Sequence, residues 1–190
     1  MRSAPRSGLL LINLGTPDAP TTSAVRRYLR EFLSDPRVID LPDLQRKALL
    51  ELVILPFRPR RSAAAYRKVF DPQRGSPLLY HGLDLRDALR ERLVGTEHQV
   101  ELAMRYGNPS IDEALERFAE NAVERIVVVP LYPQYATSST GSTIEAVALA
   151  VGRRWVAPSI TFVPPFYDHP GFIEAVAEGA RPLIDEVKPE

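Results

Sequence analysis

Short apolar runs alternate with segments of helical spacing along most of this chain, and this alternation restricts the fold more than any other feature. The first run, residues 9–14, is continuously apolar except for Asn13, which is typical of a strand covered on both faces of a parallel sheet. Further strands are predicted at 100–104, 125–131 and 159–163, with the strand at 125–131 expected to be fully buried. Strands that alternate with helices of about 10–15 residues indicate an α/β fold with a doubly wound parallel sheet.

Several predicted helices carry recognisable end signals. Ser110 and Glu113, three positions apart, form a capping box that predicts a helix start. Asp168 is expected to cap the last helix, and Pro182 is expected to kink or end it. Other helices are predicted where apolar residues recur every three or four positions, at 25–33, 78–94 and 144–151.

Composition excludes several functional classes. The sequence has 24 Lys and Arg residues and 24 Asp and Glu residues, so its formal charge is zero and no nucleic-acid partner is expected. It has no cysteine, which excludes disulfides, thiolate zinc sites and cysteine-held iron–sulfur clusters within these residues. No segment reaches the roughly 20 apolar residues of a transmembrane helix. We expect a cytoplasmic chain that is soluble or peripherally associated with a membrane.

Residues 35–75 do not follow the strand–helix alternation. Apolar residues have helical spacing over 41–53. The run 48–57 is apolar apart from Glu51, and basic residues flank it at Arg46, Lys47, Arg58, Arg60 and Arg61. An apolar helix with basic flanks can lie in a membrane interface with its cations at the lipid headgroups. The same pattern also fits a helix packed on the core that ends in a solvated basic turn. Both interpretations stay open, with peripheral membrane contact assigned to residues 41–61.

Five motifs in collinear order give the sequence a family resemblance. They are Leu-Ile-Asn-Leu-Gly-Thr-Pro at 11–17, Arg-Glu-Phe-Leu-Ser-Asp at 30–35, Gly-Ser-Pro-Leu at 75–78, Met-Arg-Tyr-Gly-Asn-Pro at 104–109, and a long segment at 130–142. The last one contains Tyr-Pro-Gln-Tyr followed by Ser-Thr-Gly-Ser and is the most specific. With these motifs the chain resembles the ferrochelatase family from Gly8 onward.

The resemblance implies a fold and an activity. The family fold consists of two similar flavodoxin-like (chelatase-like) α/β halves, and residues 1–190 resemble the N-terminal half, with 35–75 as a helical lip-like insertion. The implied activity is insertion of ferrous iron into protoporphyrin IX, or alternatively coproporphyrin III, in haem biosynthesis. Iron is then a substrate, and no cofactor is expected to be bound by this chain.

The family's catalytic residues are not expected within these 190 residues. Its base and metal-binding histidine lies in a Ser-x-His-Gly or Ser-x-His-Ser motif, with a partner glutamate further on, and neither motif occurs here. His81, His98 and His169 form no metal-ligand pair by spacing. We therefore assign no catalytic or metal-binding residue, expect the C-terminal half to be missing, and expect the isolated chain to be inactive.

The resemblance also implies a set of substrate-binding residues. Leu14 is expected to face the macrocycle, and Arg58 is expected to pair with a propionate, with Arg60 and Arg61 as close rivals. Arg105 ends a predicted strand, where a structural salt bridge explains its charge as well as substrate contact does. The full set is Leu14, Arg58, Tyr66, Ser76, Arg105, Tyr106 and Tyr135.

Three other functions are compatible with an α/β chain of this kind. One is a non-catalytic porphyrin-binding domain. Another is a cobalt or nickel chelatase of the same fold, against which the Tyr-Pro-Gln-Tyr segment argues. The last is an unrelated flavodoxin-like binding domain, but Gly15-Thr16-Pro17 after the first strand is no glycine-rich phosphate loop.

Overall fold

Residues 6–187, the part of the chain that the computed structural model describes, contain one sheet of four parallel strands. The strands are β1 (Ser7–Gly15), β2 (His98–Tyr106), β3 (Arg125–Pro130) and β4 (Ser159–Phe162), and they lie in the order β2-β1-β3-β4. In the central register, Leu11 lies opposite Leu102 on one side and Val129 on the other. The strands predicted from the apolar runs are therefore confirmed.

Helices cover both faces of this sheet. They are α1 (Thr22–Ser34), α2 (Asp43–Ala48), α3 (Leu55–Val69), α4 (Pro77–Arg92), α5 (Ile111–Glu120), α6 (Ser142–Gly152) and α7 (Pro170–Val187). Leu10 and Ile12 of β1 pack in one cluster with α5 and α6, whereas Leu9 and Leu11 pack in another with α4. Burial on both faces explains the continuous apolarity of β1 and confirms the doubly wound α/β fold.

The prediction of a fully buried third strand was wrong. Ile126 and Val128 of β3 are buried under α5 and α6, but Val127 on the opposite face is exposed. On that opposite face, the cluster beneath α4 includes Val129 but not Val127. Thr161 of the neighbouring β4 is exposed as well. A short Val-rich run cannot by itself distinguish burial on one face from burial on two.

The predictions for the ends of the helices had different outcomes. The capping box of α5 is confirmed, since Ser110 Oγ accepts the Glu113 N–H at 3.2 Å and Glu113 Oε2 accepts the Ser110 N–H at 2.9 Å. At α7, His169 rather than Asp168 caps the helix, because its ring Nδ1 accepts the Gly171 N–H at 3.2 Å. Pro182 does not end α7, since a proline removes one helical hydrogen bond and the flanking bonds can remain.

Residues 43–69 form a continuous helical arm in which a π-helical segment, Leu49–Ile54, joins α2 to α3. The Leu55 N–H bonds to the Leu50 carbonyl, five residues back, and Pro56 follows at once. Proline has no N–H and its ring clashes with the carbonyl four residues earlier, so a wider turn accommodates it. In residues 6–187 no helix has the length and apolarity needed to span a bilayer.

Candidate functional site

The carboxyl ends of β1 and β2 approach each other closely at the carboxyl edge of the sheet. Gly15 has φ of +114°, and a Cβ at this position would overlap the carbonyl oxygen of Tyr106. Glycine is therefore required both by its backbone conformation and by the close approach. In open α/β sheets the carboxyl edge is where ligands bind, and Leu14, Arg105 and Tyr106 lie at this edge.

An apolar cluster connects this edge to the helical arm. Leu14 and Tyr66 pack against it, and Tyr106 is fully buried inside it. Four rings form a row through the cluster, with centroid separations of 5.1 Å for Phe32–Tyr106, 5.9 Å for Tyr28–Phe32 and 6.5 Å for Tyr28–Tyr66. Such spacings are favourable for aromatic pairs. The structure thus brings three of the predicted site residues into one apolar cluster, with Leu14 and Tyr66 partly exposed.

Tyr28, one of these four rings, also links α1 to the end of β1. Its hydroxyl donates a hydrogen bond to the Gly15 carbonyl at 3.2 Å. Burial raises the pKa of Tyr28 far above its ordinary value, and the neighbouring Tyr66 and Tyr106 raise it further. The phenol is therefore neutral at physiological pH and acts as a structural bridge between α1 and the end of β1.

A buried ionic network lies beside the aromatic row. Asp35, which ends α1, accepts hydrogen bonds at Oδ2 from Arg105 Nη2 at 2.7 Å, Tyr106 Oη at 2.7 Å and Ser142 Oγ at 2.5 Å. Arg105 Nε also donates to Ser142 Oγ at 2.6 Å, and its guanidinium lies 4.3 Å from the Tyr106 ring centroid. Arg105 therefore has the structural salt bridge that a charge at the end of a strand requires.

The charge state of this network is well defined. Burial alone would raise the pKa of Asp35, but hydrogen bonds from Ser142, Tyr106 and the Arg37 N–H, together with the positive charge of Arg105, hold it below its ordinary value. Burial raises the pKa of Tyr106 well above its usual range. At neutral pH the carboxylate is ionised and the phenol is protonated, so the network orients groups and does not exchange protons.

The remaining predicted residues lie around this edge with different exposure. Tyr135, in the loop after β3, is 59% exposed. Arg58 is exposed on α3. It lies close enough to Tyr66 for its positive charge to lower the pKa of that phenol, which burial raises. Ser76 is buried at the start of α4, after a loop in which Asp71 and Gly75 exchange backbone hydrogen bonds.

Several residues of the site were not singled out from the sequence. Asp35 and Ser142 fall inside the quoted motifs, but neither was assigned a role. Arg105 carried the useful signal, because a charge at the end of a buried strand needs a partner. Its partner Asp35 lies 70 residues earlier in the chain, and no local spacing rule connects them. Within residues 6–187 we find no group of three or more His, Cys, Asp or Glu side chains arranged to hold a metal ion.

Fold and site together define a doubly wound α/β domain, with an apolar, aromatic cluster at the carboxyl edge of its sheet and a helical arm beside it. A family model described as ferrochelatase matches residues 6–190. The chain belongs to the ferrochelatase family, as the motifs at 11–17, 104–109 and 130–142 predicted.

Individual relatives agree with this assignment. The ferrochelatase of Methylococcus capsulatus is 50% identical over 184 residues, which cover 97% of this chain and 55% of the relative. The ferrochelatase of Alcanivorax borkumensis is 49% identical over 177 residues, covering 92% and 52%. A protein of Shewanella oneidensis named ferrochelatase 2 is 46% identical over 181 residues, covering 94% and 55%. The chain spans about half the length of these curated relatives.

Proposed function

We propose that this chain supplies the porphyrin-binding wall of a ferrochelatase, which inserts ferrous iron into protoporphyrin IX in haem biosynthesis. The observation that carries the proposal is the apolar, aromatic cluster at the carboxyl edge of the sheet, in which Leu14, Phe32 and Tyr66 stay partly exposed. Exposed Arg58 and Tyr135 supply polar groups that the same ligand needs. The relatives' name, ferrochelatase, supports porphyrin and iron as the substrates.

A porphyrin is a flat apolar ring that carries carboxylates, and the proposed roles follow from that chemistry. Leu14 and Tyr66 contact the ring, because a planar apolar ligand is best bound by apolar and aromatic side chains. Arg58 pairs with a propionate, since a guanidinium binds a carboxylate in a bidentate manner. Ser76 and Tyr135 donate further hydrogen bonds from their hydroxyl groups.

Arg105 contacts the same ligand under this proposal, with its direction set by the buried network. The fully buried Tyr106 contributes by holding Asp35 in place. Arg105 donates a hydrogen bond from Nε to Ser142 and one from Nη2 to Asp35. Its remaining guanidinium N–H groups are therefore oriented before the ligand binds. Such preorganisation lowers the free-energy cost of binding. The chain itself binds no cofactor in this proposal, and ferrous iron is consumed as substrate.

Porphyrin binding and iron insertion are separable in this protein. We propose that the 190-residue chain binds protoporphyrin IX without inserting iron, because the histidine and glutamate motifs that would accept the pyrrole protons do not occur in the sequence. Coproporphyrin III is the alternative ligand, and the Tyr-Pro-Gln-Tyr segment at 132–135 favours protoporphyrin.

An absorbance titration of each porphyrin with the purified chain tests the proposal. We expect a saturable Soret shift at micromolar protein, a Kd raised about tenfold by Arg58→Ala, and no iron insertion. Arg125→Ala, which removes an exposed arginine at the opposite end of β3, is the matched control and should bind normally. A flat titration would contradict porphyrin binding, and turnover by the chain would contradict the separation of the two functions.

We also propose that the helical arm binds a membrane surface from the cytoplasmic side. Leu50 and Leu55 pack on the core, but Leu44, Leu52, Val53 and Phe57 are largely exposed, with Phe57 at 75%. The exposed cations Lys47, Arg58, Arg60 and Arg61 lie on the same arm. Apolar side chains with adjacent cations support contact with an anionic lipid surface. These exposed residues lie within 41–61, which includes the apolar part of the arm.

A further inference from the structure

The hydroxyl of Tyr135 lies directly against the backbone of Gly141. A Cβ added to Gly141 would be 3.1 Å from Tyr135 Oη and 3.8 Å from Cζ of the same ring. Gly141 is buried and has φ of −61° and ψ of −45°, a helical conformation that every L-residue adopts readily. Close approach of the tyrosine, and not the backbone conformation, is therefore the constraint at this position.

Arg37 lies against the same face of Gly141. Its Nη1 would be 3.3 Å from the added Cβ. The arginine is held at two points, because its backbone N–H donates to Asp35 Oδ1 at 2.7 Å and its Nε donates to Glu145 Oε2 at 2.5 Å. Glu145 follows Gly141 by four positions and so lies on the same face of the helix.

We propose that Gly141, Arg37 and Glu145 are positioning residues for Tyr135. Together they form a seat, defined by the Gly141 backbone and the Arg37–Glu145 ion pair, that holds the tyrosine hydroxyl. An exposed tyrosine side chain loses conformational entropy when it binds a ligand. A ring that is already held in position loses less, so the free-energy cost of binding is smaller. The inference rests on the proposed function in one respect, that Tyr135 contacts the porphyrin.

Asp35 links this seat to the buried network. Its Oδ1 atom orients Arg37, while its Oδ2 atom accepts bonds from Arg105, Tyr106 and Ser142. One carboxylate thus contacts both the backbone of Arg37, which lies against Gly141, and the guanidinium of Arg105 near the end of β2.

Replacing the glycine with leucine tests the seat. Leucine favours a helix more than glycine does, so Gly141→Leu should retain the helix while its side chain occupies the space of the Tyr135 hydroxyl. We expect the porphyrin Kd to rise about tenfold. Gly179→Leu is the matched control, because Gly179 lies inside α7 with no atom within 4 Å of an added Cβ, and its Kd should not change. Gly141→Ala and Arg37→Ala give smaller perturbations if the leucine variant fails to fold.

A double-mutant cycle separates positioning from a purely structural role. In a Tyr135→Ala background there is no ring to displace, so Gly141→Leu or Arg37→Ala should weaken porphyrin binding no further. An undiminished loss in that background, or wild-type affinity for Gly141→Leu and Arg37→Ala with Tyr135 intact, would overturn the seat.

A measurement without porphyrin keeps this test independent of the proposed function. In protein with 13C-labelled tyrosine rings, the Tyr135 signal is assigned by its loss in Tyr135→Phe. Gly141→Ala and Arg37→Ala should shift that signal, and Gly179→Ala should leave it in place. Unshifted signals would overturn the seat even if the chain binds porphyrin, whereas shifted signals with no porphyrin binding would retain the seat and reject the proposed function.

Discussion

Asp35 shows how much of the site depends on one buried side chain. Its carboxylate receives hydrogen bonds from Arg37 two positions later and from Ser142, which is 107 residues later in the chain. Arg105 and Tyr106 complete the set. Because the four partners come from three segments, the carboxylate fixes the end of α1, the end of β2 and the start of α6 relative to one another.

Asp35→Asn removes the negative charge and retains the shape of the side chain. Arg105 then lies partly buried without its counter-ion, and such losses cost about 3 kcal/mol of unfolding free energy. Urea denaturation of the two proteins at neutral pH measures the difference. Asp112→Asn is the control, because Asp112 and its partner Arg153 are both exposed and such pairs contribute less than about 1 kcal/mol. Equal losses in the two variants would contradict the special role of Asp35.

The same substitution has a pH signature. The pKa of Asp35 is lower in the folded protein than in the unfolded chain, where it is about 4. Its contribution is therefore fully present above about pH 4 and is lost as the pH falls through the folded-state pKa. As the pH falls below about 4, wild-type stability should fall more steeply than that of Asp35→Asn. Parallel curves at constant ionic strength would argue against this assignment.

At the scale of single residues, the family resemblance pointed to part of this cluster. Leu14, Tyr66 and Tyr106 were predicted to bind the substrate, and the structure packs all three in one apolar cluster. The Asp35–Arg105 pair could not be predicted, because it depends on tertiary contacts over 70 residues. Gly141 gives no local signal either, since its conformation is helical and only the neighbouring Tyr135 ring makes the absence of a Cβ matter.

At the scale of elements, the helical arm was the hardest part to predict. Helical spacing was evident over 41–53, but Pro56 and Pro59 are strong signals against a helix beyond that point. The structure continues the helix to Val69, with the π-helical segment Leu49–Ile54 directly before Pro56. The arm then exposes apolar side chains that an ordinary core helix would bury.

Those exposed side chains predict binding to lipid vesicles. The chain should co-sediment with vesicles that contain anionic lipid, and less with neutral ones, because Lys47, Arg58, Arg60 and Arg61 accompany the apolar residues. Leu52→Ser combined with Phe57→Ser should abolish most of the binding. Leu149→Ser combined with Leu183→Ser is the control, since both leucines are similarly exposed but outside the arm. Binding that survives loss of Leu52 and Phe57 but not of the control leucines would place the contact elsewhere.

At the scale of the whole molecule, alternating apolar runs and helical spacing were sufficient to predict the α/β class. They were not sufficient for strand order, because the pairing of β1 with both β2 and β3 depends on which crossovers pack best. The exposed face of β3 at Val127 was missed for a related reason. A valine run predicts a strand, and only the layer above it determines whether the side chain is buried.

A buried carboxylate on the edge strand β2 joins the two helical layers. Glu101 of β2 accepts hydrogen bonds from Arg90 of α4 at 2.9 Å and from Arg117 of α5 at 2.8 Å, and these helices cover opposite faces. Removing it leaves Arg117 without this counter-ion and Arg90 with only its longer contact to Asp87. Both guanidinium groups are partly exposed, so Glu101→Ala should lower the global unfolding free energy by about 2 kcal/mol.

This loss should appear in every probe of unfolding, because both layers depend on the same contact. Far-ultraviolet circular dichroism and the near-ultraviolet signal of the buried tyrosines, Tyr28 and Tyr106, should report the same shifted midpoint in urea. Glu97→Ala, at an exposed pair with Arg6, should change stability by less than about 1 kcal/mol. A common midpoint shifted well below that of Glu97→Ala would show that the Glu101 contact stabilises the domain as one cooperative unit. Probes that separate in Glu101→Ala would contradict this uniform loss and show that the two layers unfold independently once the contact is removed.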